Sequence, residues 1–333
     1  LGSISRTIAL FIFNFNLVYN LIKHSLLLSI LLFVSCLSIF YYNPIIPIEN
    51  DYFLSIRQKT NRLTSISSPK VILIGGSNLA FGVDSKKIGD SLKMPVVNMA
   101  IGAAFGLEFD INQIRKHLAP GDIVIVSEFP SAPNYQAIFK TLFYEPSAIN
   151  GIRTPLQYYK LFKAGILESV LSIQSTVLNG KKINFVLNKN QTISDSTSVY
   201  FSKGFNQYGD LISHLNNIKP KQLNDRGGFT THYEREISLL NNFKKLADEK
   251  LAKVYYINPP YPISEFKKNK SLFMSYQKYL RKNLKVKILG SFYESVFPDS
   301  LFFDTVNHLD SMGRTKRTEV LISLLRKEIK QKN

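Results

Sequence analysis

The stretch Val71–Gly82, read as VILIGGSNLAFG, constrains the fold more than any other part of the chain. Four consecutive apolar residues end in a glycine pair, and a serine follows at once. That order predicts a buried strand, a tight turn and the start of a helix. Glycine lets the backbone turn where a Cβ would clash. Such a turn can hold the Ser77 hydroxyl at the open end of a sheet, with backbone N–H groups aimed at the same point. This is the geometry of a nucleophile and its oxyanion hole. Taken alone, the stretch equally describes a strand and a serine-containing turn with no chemistry.

The residues downstream alternate as an α/β domain requires. Strands are expected at 71–75, 96–101, 122–129, 253–257 and 286–289. Helices are expected at 85–92, 108–118, 135–143, 156–177, 234–250, 272–283 and 314–330. The run DIVIVSEF at 122–129 is apolar through its first half, which implies burial on both faces. The last helix carries Val320, Leu321, Leu324 and Leu325 on one side. The expected fold class is α/β, a three-layer α/β/α sandwich with a mainly parallel sheet over residues 71–333. A polar, irregular insertion falls at about 182–228. Sites in such sheets lie at the carboxyl ends of the strands, where Ser77, Gly102, Glu128 and Asn258 all fall.

Ser25–Tyr42, SLLLSILLFVSCLSIFYY, is eighteen residues without a charge. At about 1.5 Å per residue it just spans a bilayer core. Arg6, Lys23 and His24 precede it and Asn43-Pro44 ends it. Positive charge on the leading side predicts one transmembrane helix, with the C-terminal domain outside the cytoplasmic (inner) membrane. The expected organisation is a cytoplasmic or interfacial segment at 1–24, a transmembrane anchor at 25–42, a stalk at 43–70, and then the α/β domain. Thr7–Ile22 is apolar but interrupted by Asn14, Asn16 and Asn20, and reads as an interfacial helix in preference to a second span. The only cysteine, Cys36, leaves no internal disulfide and follows a loosely lipoprotein-like Phe33-Val34-Ser35. The formal net charge of +18 suits an anionic surface or polymer, such as lipid headgroups or phosphate-bearing glycans, and reads equally as a lysine-rich composition with no specific partner. No finger, RNP or basic-helix motif accompanies it, so nucleic acid is not an expected partner.

A second stretch, Phe302–Leu321, places Asp304 four residues before His308 in a loop ahead of the terminal helix. A histidine that takes a proton from serine needs its other nitrogen held, and a carboxylate close in sequence can do that. The plain alternative is a solvated loop histidine beside a capping aspartate. Asn78, Glu128, Asn258 and His214 are the candidates for substrate contact. Glu128 reads equally as a rim carboxylate. Asp210 and His214 repeat the four-residue spacing, as a second acid–base pair or, preferred, as a helix-face pair. Tyr256 and Tyr261 either line the cleft or pack beside Pro259-Pro260, and His117 and His232 have no evident partner. The sequence contains no cysteine/histidine cluster, no H-E-x-x-H and no Walker loop, so neither metal nor cofactor is expected.

Gly75-Gly76-Ser77-Asn78 with Gly82 resembles the first block of the SGNH/GDSL hydrolase superfamily. Asn98-Met-Ala-Ile-Gly102 looks like its second block, and Asp304 with His308 looks like its last. The resemblance implies a Ser77, His308, Asp304 triad with the N–H groups of Ser77 and Gly102 as oxyanion hole. Three departures stand out: the acid lies four rather than three residues before the histidine, Ser127-Glu128-Phe129-Pro130 replaces a Gly-x-Asn-Asp block, and Gly76 stands where many members have Asp. With the anchor, these look like membrane-bound members resembling teichoic-acid D-alanylation and alginate-acetylation proteins. The implied activity is serine-dependent O-acyl transfer or ester hydrolysis on an extracytoplasmic glycan or cell-envelope polymer. The implied partners are the lipid bilayer, the acylated polymer and a membrane acyl-exporting protein. The alternative is a catalytically inactive SGNH-like module that binds a glycan or a membrane partner.

Overall fold

The computed structural model describes residues 18–31, 34, 51–128, 131–179, 198–224 and 233–330. The chain divides into two compact units, Leu1–Ile46 with Gly165–Phe185, and Pro47–Ala164 with Val186–Asn333. The strands are β1 (Val71–Gly75), β2 (Val96–Asn98), β3 (Ile123–Ser127), β4 (Lys253–Tyr256), β5 (Tyr261–Pro262), β6 (Lys287–Ile288) and β7 (Val296–Phe297). The helices are α1 (18–31), α2 (Ser55–Ser65), α3 (Ser77–Gly82), α4 (Ser85–Leu92), α5 (Leu107–Ile114), α6 (Tyr135–Tyr144), α7 (Pro155–Asn179), α8 (Glu234–Glu249), α9 (Ile263–Lys268), α10 (Lys270–Asn283) and α11 (Ser311–Lys330).

The larger unit is α/β. Its main sheet has the order β2-β1-β3-β4-β6, and every pairing in it is parallel. The apolar runs are buried on both faces, which is why they do not alternate with polar residues. Ile72, Ile74, Val124 and Val126 pack into one layer with α5, α8 and α10. Val71, Leu73, Ile123 and Ile125 pack into the other with α3, α4 and α11. Each such side chain contributes about 1.5–3 kcal/mol of transfer free energy. A one-residue slip would exchange the two sets, so the register is fixed from both sides.

The connection from β1 to β2 covers one face through α3 and α4, and that from β2 to β3 covers the other through α5. The chain therefore reverses its winding at β1, which opens a crevice at the carboxyl ends of β1 and β3. Ser77 stands at that crevice.

Two expectations need correction. Residues 51–65, read as stalk, form a 3-10 turn and α2, and Ile56 and Leu63 are buried in the larger unit. Their spacing, with the buried Lys59 between them, is that of one helix face. The second sheet strand ends at Asn98 rather than at 101, and the loop beyond it belongs to the site. At the N-terminus, α1 runs through the expected boundary between residues 24 and 25. Among the described residues no helix is long and apolar enough to cross a membrane. Residues 32–33 and 35–42 of the expected anchor, residues 7–17 and Cys36 lie outside the described residues.

The close approach of β1 to β3 requires a glycine. Gly75 has φ +138°, and a Cβ there would lie 2.1 Å from the Ser127 carbonyl oxygen. A Cβ on Gly102 would meet nothing within 4 Å. Gly75→Ala should therefore cost at least about 3 kcal/mol of stability, while Gly102→Ala should stay within about 0.5 kcal/mol of wild type. Urea midpoints of the two variants check the contrast.

Candidate active site

Ser77 opens α3 directly after the Gly75–Gly76 turn, with Gly76 extended as its N-cap. The turn is held from behind. Asn78 Nδ2 donates to the Ser127 carbonyl (2.9 Å), Ser127 Oγ donates to Asn78 Oδ1 (3.0 Å), and the buried Arg317 of α11 donates to Asn78 O (2.6 Å) and Oδ1 (2.9 Å). The serine is thereby fixed relative to β3 and to the helix that follows His308.

The loop before α11 brings the other two residues in. Phe303 N–H donates to the His308 carbonyl (2.8 Å) and closes the loop over five positions. His308 Nδ1 then lies 2.8 Å from Asp304 Oδ1, and Nε2 lies 2.7 Å from Ser77 Oγ. With Nδ1–H donating to the carboxylate, Nε2 is left to accept from the serine hydroxyl. The four-residue spacing thus closes the relay. Phe81, on α3 with Ser77, stacks on the imidazole at 3.8 Å and 4°. The ring is held flat and faces little water, and His308 is 6% exposed.

Tyr200 completes the acid's environment. Its hydroxyl donates to Asp304 Oδ2 and lies 3.2 Å from His308 Nδ1. Burial pushes the Asp304 carboxyl up, but the hydrogen bond and charge of His308, the Tyr200 hydroxyl and the loop backbone outweigh it. The carboxyl is held below its usual range. Asp304 therefore stays ionised opposite the imidazole.

The loop after β2 is braced by two side chains from the segment 51–65. Lys59 Nζ donates to the carbonyls of Asn98 (2.9 Å), Ala100 (2.8 Å) and Gly209 (2.5 Å). Tyr52 OH donates to the Ile101 carbonyl (2.7 Å), next to Gly102. Gly209 has φ +91° and sits so close to the Asn98 carbonyl that a side chain would clash. Gly102 faces open space, where a bound group can approach its backbone. Burial pushes Lys59 down to about 7.

The four expected substrate contacts are all buried. Asn78 is buried and fully engaged by Ser127 and Arg317. Asn258 is buried, with Oδ1 accepting from Gln277 Nε2 at 2.7 Å. His214 is 1% exposed, 3.1 Å from the Leu309 carbonyl through Nε2 and packed on Phe81 at 4.7 Å. Glu128 is buried, with Oε1 accepting from Ser131 Oγ at 3.1 Å. Asn78 is engaged by Ser127 and Arg317, whereas the buried Asn258 Nδ2, His214 Nδ1 and Glu128 Oε2 have no hydrogen-bond partner among the described residues. Asp210 and His214 are neither an acid–base pair nor a helix-face pair. The buried Asp210 accepts from Ser85 (N and Oγ), Asn98 Nδ2, Asn206 Nδ2 and Arg314 Nη2, tying the insertion to α4, β2 and α11. Tyr256 is buried and donates to the Glu128 carbonyl, and Tyr261 is buried and packs on Phe273. His232 lies outside the described residues. Among the described residues, no group of three or more His, Cys, Asp or Glu could hold a metal ion.

The groups that sequence reasoning missed are Tyr200, Tyr52, Phe81, Lys59 and Arg317. Phe81 carried a signal, one helical turn after the serine in the same motif. Tyr200 carried none, since it follows a polar stretch.

No family model matches the chain, and no curated protein matches it significantly.

Two pH effects follow. Burial pushes Glu128 up to about 8, and burial with the nearby Glu128 charge pushes Asp110 up as well. A raised folded pKa contributes stability that is complete below the unfolded value and lost as pH rises through the folded one. Wild type should therefore lose a few kcal/mol relative to Glu128→Gln between about pH 5 and about pH 9, read by urea unfolding at both. Separately, Tyr200→Phe removes a hydrogen bond that lowers the Asp304 pKa. The acidic limb of the rate at which a serine-directed probe labels the protein should move to higher pH.

Proposed function

We propose that the chain is a serine-dependent O-acyltransferase or esterase of the SGNH/GDSL type, acting on O-acyl groups of an extracytoplasmic glycan or cell-envelope polymer. The observation that carries this reading is the continuous relay from Asp304 through His308 to Ser77 Oγ, at the carboxyl ends of β1 and β3. Ser77 Oγ attacks the acyl carbonyl carbon while its proton passes to His308 Nε2. The developing oxyanion is received by the N–H groups of Ser77 and Gly102, each donor worth about 3–4 kcal/mol of barrier in comparable sites. The tetrahedral intermediate collapses, and the leaving alcohol takes the proton back from His308. The acyl-enzyme then passes its acyl group to a polymer hydroxyl or to water by the same route. Asp304 stabilises the imidazolium throughout, and Tyr200 keeps that carboxylate ionised.

Two features support a place at the inner membrane, with the larger unit outside. Residues 25–42 form an uncharged run behind Lys23 and His24. The apolar side chains of α1, Leu21, Leu26, Leu28 and Leu31 among them, are exposed. Water is a poor solvent for such a helix and lipid a good one. The non-catalytic reading, an SGNH-like module that binds a glycan or a membrane partner, draws its support from Ser127-Glu128-Phe129-Pro130 in place of the Gly-x-Asn-Asp block.

A fluorophosphonate probe discriminates the two. Labelling should occur on Ser77, vanish in Ser77→Ala, and fall by about 10⁴-fold or more in His308→Ala. The folded state of both variants is checked by circular dichroism. Absence of labelling in the folded wild-type chain would favour the binding module.

A further inference from the structure

We propose that the first three turns of α7, with Arg153 and Arg115 beside them, form a docking face for an anionic phospholipid bilayer. This rests on the membrane reading above and adds a contact made by the larger unit itself.

The helix has two apolar sides. Leu161 and Ala164 are buried with Gln157 on the inner side. On the outer side Leu156, Tyr159 and Phe162 repeat every three residues, with Tyr158 adjoining, and all four are exposed, Leu156 at 60% and Tyr159 at 61%. A helix that is apolar on both sides is normally covered on both. Isolated apolar side chains on a surface need no explanation, but a stripe of them on one helix marks a contact face.

The charge around the stripe selects the occupant. Residues 146–167 contain no Asp or Glu, and they carry Arg153, Lys160 and Lys163. Arg153, Lys160 and Lys163 are all exposed, and the Lys160 ammonium reaches back over the Tyr135 ring, 5.7 Å from its centroid. Burial first, and then the positive charge of Arg153, lower the Arg115 pKa. The exposed cations Arg153, Lys160 and Lys163 suit a surface rich in phosphate. Tyr and Phe interleaved with Lys is the composition of a helix lying at a membrane interface, aromatic bodies among the headgroups and ammonium ends in water. A second copy of this chain would instead bring the same cations face to face.

The test uses the full chain with Cys36→Ser and one introduced cysteine at a time, Tyr159→Cys, Phe162→Cys, Leu31→Cys or Lys86→Cys, each carrying a polarity-sensitive fluorophore. The proteins are reconstituted in vesicles of phosphatidylglycerol and phosphatidylcholine, and in vesicles of phosphatidylcholine alone. Probes at 159 and 162 should shift to the blue and lose emission to brominated acyl chains in the anionic vesicles. Both effects should weaken in phosphatidylcholine alone and in Arg115→Glu with Arg153→Glu, while the probe at 86 stays open to aqueous iodide. If the probe at 31 enters lipid but those at 159 and 162 are quenched by iodide, the docking face is refuted and the anchored reading stands. If all four stay aqueous, the anchored reading fails too. If 159 and 162 are shielded from iodide and bromolipid alike, and cross-link between copies, the face belongs to a second copy and the proposal is overturned.

Discussion

The buried guanidinium of Arg317 joins the two ends of the primary structure. It reaches from α11 to the Asn78 carbonyl, the Asn78 side chain and Ser127 Oγ. α11 begins just three residues after His308, and Asn78 directly follows Ser77. One side chain thus fixes the serine turn to the end of β3 and to the helix that terminates the histidine loop. Burial pushes the guanidinium down to about 9, and the hydrogen bonds to a charged donor offset part of that desolvation. The 2.7 Å contact between Ser77 and His308 depends on both segments holding their places.

Around that frame the carboxyl end of the sheet is electrostatically divided. On the α11 side, donors hold Asp304 ionised against its burial. On the α5 side, Glu128 and Asp110 are buried with far less compensation, and both are pushed up. Groups of one chemical type are thus driven in opposite directions within one unit. The ionised acid is the one in contact with the imidazole. Acid and base roles are separated in this way wherever environment rather than residue type sets protonation.

The sheet was largely legible because its strands are short, continuous apolar runs, and two-sided burial admits no other pattern. The helix at 85–92 was legible, and in the structure Asp84 caps its start and a left-handed Lys93 closes it. The segment 51–65 was not, because its buried face includes Lys59, a residue whose charge reads as solvent-facing. Three carbonyls from residues distant in sequence, together with the Phe205 ring face 4.6 Å from Nζ, receive the buried ammonium. The paired strands β5 and β7 are two residues long and leave no periodic trace. Within the candidate site, Ser77, Asp304 and His308 could be found from motif order. Asn78, Asn258, Glu128 and His214 could not be judged, since position at a strand end or in an insertion fixes the neighbourhood and not the direction a side chain takes. That direction is set by tertiary partners such as Arg317, Gln277, Ser131 and Leu309, which lie far away in sequence or on a following turn.

The central claim is that a serine hydroxyl and an imidazole from opposite ends of the chain form one reacting pair beneath a backbone oxyanion hole. Crystallography of the protein carrying a phosphonate adduct tests it most directly. The account predicts phosphorus on Ser77 Oγ, a phosphonyl oxygen within hydrogen-bond reach of the N–H groups of Ser77 and Gly102, and His308 Nε2 facing the adduct. Phosphorus on another residue, or a His308 ring turned away with Asp304 unpaired, would contradict it.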